Sequence, residues 1–187
     1  GGHVRAVRKK TENYGDATLV DRDAFAIETL GDGAHKGVEL LHTDFVSAAK
    51  QLVSDGRTYD MILADLGVSS PQLDRAERGF SFRLDGPLDM RMDNRSTRTA
   101  ADIVNSYSEK ELAELIVRYG EENRGRARRI AQAIVEVRPF QQTAELAAVI
   151  EHTLGRGGRK QHSATRTFQA LRIDVNAEVR LSDESLQ

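Results

Sequence analysis

Gly1 and Gly2 open the chain, and a carboxylate, Asp21, follows at the end of a short apolar run. The interval of about 20 residues is the one at which dinucleotide-type folds set an acid against ribose hydroxyls. Glycine lets backbone approach a ligand closely, and an ionised aspartate can accept two hydrogen bonds from a cis-diol. The plainer reading of the same residues is an ordinary turn and an aspartate that caps the next helix. Asp65 ends a second apolar run and leads into Leu66-Gly67-Val68-Ser69-Ser70-Pro71-Gln72. Ligands in open α/β sheets sit at the carboxyl ends of strands, which favours contact, although an aspartate before a glycine turn is also common. Phe45, after a further apolar run, either stacks on a base or anchors its helix.

Two other regions carry charge or rings. Residues 67–93 hold Gly, Pro, Asp and Arg without sustained periodicity, the composition of a functional or disordered loop, and the aromatic residues Phe80 and Phe82 argue for order. Those rings either stack on an unpaired base or pack the loop onto the domain. Asp85, Asp89 and Asp93 read as turn residues balancing Arg83 and Arg91, with Asp89 also open to a chemical role. From Arg124 to Arg172 the basic residues Arg124, Arg126, Arg128, Arg129, Arg138, Arg156, Arg159, Lys160, Arg166 and Arg172 face only Glu136, Glu145 and Glu151. This local excess reads either as solvated helix faces or as a surface for a polyanion. With no Cys and no paired His spacing, no metal site is expected, and His162 reads as structural or as a phosphate contact.

These groups must be held by an α/β framework. Ala17–Val20, Val38–Leu41 and Tyr59–Ala64 read as strands, the last nearly continuously apolar as a buried parallel strand should be. Helices are predicted over residues 3–10, 23–30 and 45–53. From Thr99 onward the pattern is helical, opened by the capping boxes Thr99-Ala100-Ala101-Asp102 and Ser108-Glu109-Lys110-Glu111. Leu112, Leu115, Ile116 and Tyr119 make one apolar stripe; Ile130, Ala131, Ile134 and Val135 a second; Leu146, Val149, Ile150 and Leu154 a third. A last helix starts near Thr165 and presents Phe168, Leu171, Val175 and Val179.

Composition agrees with a folded chain: of 187 residues, 39% are hydrophobic and 30% charged, at a formal net charge of -2. No apolar run is long enough for a membrane-spanning helix, and a cytoplasmic location is expected. The chain opens without Met and closes while a helical pattern is still running, so a fragment of a longer protein is expected.

The run Asp65–Asp74, then Glu77-Arg78-Gly79-Phe80-Ser81-Phe82 and Asp85-Gly86-Pro87-Leu88-Asp89-Met90-Arg91-Met92-Asp93, resembles the RsmH (MraW) family. The similarity continues through Tyr119-Gly120-Glu121-Glu122, Arg128-Arg129-Ile130-Ala131 and His162-Ser163-Ala164-Thr165-Arg166-Thr167-Phe168-Gln169-Ala170-Leu171-Arg172-Ile173. It covers essentially the whole chain. The resemblance implies a class I, Rossmann-like S-adenosylmethionine-dependent methyltransferase with an incomplete sheet and an inserted helical domain. The implied reaction is methyl transfer to N4 of a cytosine in 16S ribosomal RNA, with the small ribosomal subunit as partner. Gly1, Gly2, His3, Asp21, Phe45, Asp65 and Gln72 match cofactor contacts. Asp65 and Asp89 are candidates to accept a hydrogen bond from the cytosine amine, beside backbone carbonyls near Ser69 and Pro71. RNA contact is expected at Arg124, Arg126, Arg128, Arg159, Lys160 and Arg166. The expected division is 1–74 for a partial methyltransferase domain, 75–163 for loop and insert, and 164–187 for a returning helix.

The sequence departs from the family pattern in places. The strand expected before Gly1 and a Ser-Phe-His-Ser-type motif are absent from the 187 residues, two extra residues stand near Asn123–Arg126, and Ser163 and Asp174 replace the usual types. Two alternatives follow from the residues: a non-catalytic RNA-binding module in ribosome assembly, resting on the basic stretch, and a nicotinamide-dependent oxidoreductase, suggested only by the glycine-to-Asp21 interval.

Overall fold

The computed structural model describes residues 6–7, 9–10, 17–31, 38–155 and 162–178. Two compact units emerge, one built on the residues up to 63 with 92–94, the other on residues 64–91 and 95–178.

In the first unit, strands β1 (Ala17–Asp21) and β2 (Val38–His42) pair in parallel, in register from Ala17 opposite Val38 to Asp21 opposite His42. Helix α1 (Ala24–Gly31) follows β1 and packs on both strands, and α2 (Phe45–Ser54) follows β2 and packs on β1. The α2 pattern buries Val46 and Ala48 while the remaining positions are more open, as an amphipathic helix on a sheet requires. Of the helix predicted over residues 3–10, Ala6, Val7, Lys9 and Lys10 are helical and the rest lies outside the described residues.

The strand expected at Tyr59–Ala64 does not form. Met61, Ile62 and Leu63 are exposed, Ile62 at 86%. The segment is tied to the sheet by side chains: Tyr59 Oη and Thr18 Oγ1 share a hydrogen bond of 2.7 Å, and Arg57 pairs with Glu39 at 3.2 Å. An apolar run records a capacity for strand, whereas a strand exists only where a neighbour offers its N–H and C=O groups. β1 and β2 pair with each other, and among the described residues no strand pairs with this run.

The second unit starts with two short elements, α3 (Ser70–Asp74) and a 3-10 turn (Ala76–Arg78). Five helices follow: α4 (Ala100–Ser106), α5 (Glu109–Gly120), α6 (Arg124–Val137), α7 (Thr143–Leu154) and α8 (Thr165–Val175). Both predicted capping boxes are present. The Thr99 amide donates to Asp102 Oδ2 at 2.8 Å and the Asp102 amide to Thr99 Oγ1 at 3.2 Å; Ser108 and Glu111 reciprocate at 2.8 and 3.3 Å. A third acid, Glu145, accepts from the amides of Gln141 and Gln142 ahead of α7. The core joins Leu112, Leu115 and Ile116 to Ile130, Ala131 and Ile134, then to Leu146 and Ile150, with Phe168 and Leu171 from α8. Tyr119, Val135, Val149 and Leu154 flank it half-buried, and Val179 lies outside the described residues.

Helix α8 packs on α4 and α5, so these compact units divide the chain differently from the expected segments 1–74, 75–163 and 164–187. Phe168 and Leu171 are buried on α8, which packs on α5 within the second unit. The approach is close: a Cβ on Gly120 would lie 2.5 Å from the carbonyl oxygen of Arg166.

Residues 79–91 are irregular yet deeply held, with Leu88 and Met90 at 1% and 0% exposure. Buried backbone must find partners. The Leu88 amide donates to Gln141 O, the Met90 amide to Arg78 O, and the amides of Ala100 and Ala101 donate to Asp89 O and Leu88 O. Asn176 Nδ2 donates to Met90 O at 2.8 Å. Two glycines permit this threading. A Cβ on Gly79, at φ +70, would lie 2.1 Å from Pro87 O, and one on Gly86 would lie 1.9 Å from Ala76 O. Gly79→Ala and Gly86→Ala should each destabilise the fold by about 2 kcal/mol or more. Gly56→Ala, at φ +68 with nothing within 4 Å, should cost only about 1 kcal/mol. Denaturant melts of the three variants check the ranking, and a Gly86→Ala melt equal to that of Gly56→Ala would contradict it.

Candidate functional site

Parallel pairing sets the carboxyl ends of β1 and β2 side by side. Asp21 closes β1 opposite His42, and Asp44 and Phe45 follow directly after β2. His42 Nε2 lies 3.1 Å from Arg22 O. Asp21 Oδ1 accepts from the Asp23 amide at 2.9 Å, and buried Asp23 in turn accepts from the Phe25 amide at 3.1 Å. Asp23 thus takes the helix-capping role that the plainer reading gave to Asp21. Burial raises the Asp21 carboxyl above its ordinary value, against the lowering by the Asp23 amide. Asp44 shifts the other way. Burial pushes it up, but the Ser47 amide and hydroxyl and the Val46 amide outweigh that effect and hold it below the usual range. Asp44 is therefore the N-cap of α2 and holds half-buried Phe45 at the first helical position. Asp23 and Asp44 were not singled out from the sequence, yet an Asp just before an apolar helical pattern is a legible cap signal. Gly1, Gly2 and His3 lie outside the described residues.

Asp65 and Gln72 belong to the second unit. Asp65 is exposed. Gln72 is buried, and its Oε1 accepts from the Ser69 amide at 2.9 Å, fixing the first turn of α3. Asp89 is a bidentate partner of Arg91: Oδ1 receives Nε at 2.8 Å and the Arg91 amide at 3.0 Å, and Oδ2 receives Nη2 at 2.7 Å. Arg91 Nη1 donates to Ser96 O at 2.7 Å. The turn-and-balance reading of Asp89 with Arg91 is the one found in the geometry. Burial raises the Asp89 carboxyl, and the Arg91 side-chain and amide hydrogen bonds overcome it, leaving Asp89 below its ordinary value.

The expected RNA contacts divide. Arg124 and Arg128 are exposed on α6. Arg126 and Arg166 both converge on Glu122, whose side chain is 4% exposed, at 3.1 and 3.3 Å, and Arg166 Nη1 also donates to Glu121 O at 3.0 Å. A buried carboxylate must be paired, so these two arginines hold Glu122 at the junction of α5, α6 and α8. Glu122 was overlooked as an electrostatic centre because only the fold brings Arg166 to it. Arg159 and Lys160 lie outside the described residues. Phe80 is buried, while Phe82 packs edge-on against Phe168 with ring centroids 4.9 Å apart. Among the described residues, no group of three or more His, Cys, Asp or Glu is arranged for a metal ion, and no helix is long and apolar enough to cross a membrane.

The Asp89 clamp has a signed pH dependence. A carboxylate whose folded-state pKa is depressed contributes stability above its unfolded pKa and loses it as pH falls through the folded value. Asp89→Asn should therefore lower the melting temperature at neutral pH, and the gap to the parent chain should shrink as the pH falls below about 4. A gap constant with pH would show that the Asp89 charge does not hold the loop.

The MraW methylase family matches residues 1–187. The chain is 50% identical to the ribosomal RNA small subunit methyltransferase H of Gloeothece citriformis over 96% of its own length and 60% of that protein. It is 45% identical to the protein of that name from Acidobacterium capsulatum over 95% of the chain and 62% of the relative, and 42% identical to that of Acinetobacter baumannii over 96% and 59%. The chain thus spans about 60% of the length of these curated relatives. With matches running through both the parallel-sheet unit and the helical unit, the chain belongs to the MraW methylase family.

Proposed function

We propose that this chain is part of a class I methyltransferase that moves a methyl group from S-adenosylmethionine to N4 of a cytosine in 16S ribosomal RNA. The observation that carries the reading is the family match over all 187 residues together with the Asp21, Asp44 and Phe45 cluster at the carboxyl ends of two parallel strands. Residues 75–163 act as a helical insert for substrate recognition, and the small ribosomal subunit is the partner.

The cofactor fits the residues present. The Asp21 carboxylate, at the end of β1, suits a ribose hydroxyl, and Phe45, fixed by the Asp44 cap, supplies an apolar face for an adenine ring. Gly1, Gly2, His3, Asp65 and Gln72 complete the proposed cofactor set. When bound, S-adenosylmethionine supplies an electrophilic methyl group on a sulfonium. The exocyclic amine of cytosine is a weak nucleophile because its lone pair is delocalised into the ring, so the protein must hold it in line and accept a hydrogen bond from its N–H. Asp65, which is exposed, is the proposed acceptor, with backbone carbonyls near Ser69 and Pro71 beside it. Asp89 acts indirectly, through the Arg91 clamp that fixes the loop. Exposed Arg124 and Arg128, with Arg159 and Lys160, contact RNA phosphates.

In a version carried to the full length of the relatives, Asp21→Ala should weaken S-adenosylmethionine binding by at least about 10-fold in calorimetry, with the melting temperature unchanged. That version should also transfer labelled methyl groups to cytosine of small-subunit RNA. Unchanged affinity would remove Asp21 from the site, and the absence of transfer would overturn the proposed reaction.

A further inference from the structure

Three rings of the helical unit, His162, Phe82 and Phe168, stack in one aromatic column. Phe168 on α8 is buried, Phe82 stands edge-on above it at 4.9 Å and is half-buried, and His162 lies over Phe82 at 4.5 Å with 33° between the rings. The column runs from the core outward, and its outermost ring is exposed. His162 Nδ1 accepts from the Ala164 amide at 3.2 Å, which fixes the ring's orientation and leaves the proton on Nε2. A flat ring already held in place loses little freedom when a second flat ring settles on it.

We propose that His162 is the stacking platform for an unpaired nucleobase of the RNA, with Phe82 and Phe168 as its support. This rests on the reading of the chain as an RNA-modifying protein and names a contact within it. The sequence left Phe82 open as a stacking ring; the structure covers it with His162, so the contact passes to the outer ring. Exposed Arg83 directly follows Phe82 in the chain. Its positive charge favours a nucleotide over an uncharged aromatic ligand, because phosphate attraction adds to stacking. A peptide aromatic would gain the stacking alone.

The chain contains no Trp, so His162→Trp introduces a single indole that reports on its own surroundings. A single-stranded oligoribonucleotide should quench its emission, and an oligonucleotide of the same length with abasic positions should quench it far less. In the otherwise unchanged chain, His162→Ala should weaken binding of the single strand by about 10-fold, and His162→Phe should restore it, because stacking survives while the imidazole is lost. Melting temperatures of these variants should stay close to the parent value. Full affinity in His162→Ala, or failure of His162→Phe to restore it, would overturn the stacking role while leaving RNA binding intact. If the parent chain binds neither oligonucleotide, the RNA-modifying reading falls together with the platform.

Discussion

The helical unit depends on one constraint: residues 79–91 bury Phe80, Leu88 and Met90, and the backbone polar groups that go in with them need partners. The partners come from separate elements, with Gln141 and Thr143 before and at the start of α7, Ala100 and Ala101 opening α4, Arg78 in the 3-10 turn and Asn176 after α8. An irregular segment thereby becomes the hub about which regular helices are arranged. Its cost is steric, since Gly79 and Gly86 touch backbone where no side chain fits. Its chemical consequence is that Asp89 and Arg91 meet as a fork rather than stand apart as reactive groups.

Electrostatics in the two units follow one rule with different outcomes. A buried charge is retained where hydrogen bonds or an opposite charge replace water. Glu122 has Arg126 and Arg166, and Asp44 has the amides of its helix, so both are settled structural groups. Asp21 is half-buried, and burial raises its carboxyl despite the neighbouring amides, which leaves it less fully compensated. Incomplete compensation at the end of a parallel strand is what a ligand hydroxyl would relieve, and this separates Asp21 physically from the acids around it.

The sequence announced what depends on neighbours close along the chain. The Thr99 and Ser108 capping boxes, the stripes at Leu112, Ile130 and Leu146, and the strand runs ending at Asp21 and near His42 rest on spacings of two to four residues. The family motifs were legible for the same reason, being contiguous runs of residues.

Tertiary structure decided whatever needed a partner far along the chain. The apolar run at 59–64 had the composition of a strand, and among the described residues it pairs with none. Arg126 and Arg166 carried charge suited to RNA, and the meeting of α5, α6 and α8 gave that charge to Glu122. Phe82 was open to either stacking or packing, and contact with Phe168 and His162 chose packing and moved the exposed ring outward. By itself the sequence determined which residues have the chemistry and which helices start where, because those are local properties. Which of those charges and rings remain available was decided only by folding, because availability depends on what else reaches the same place.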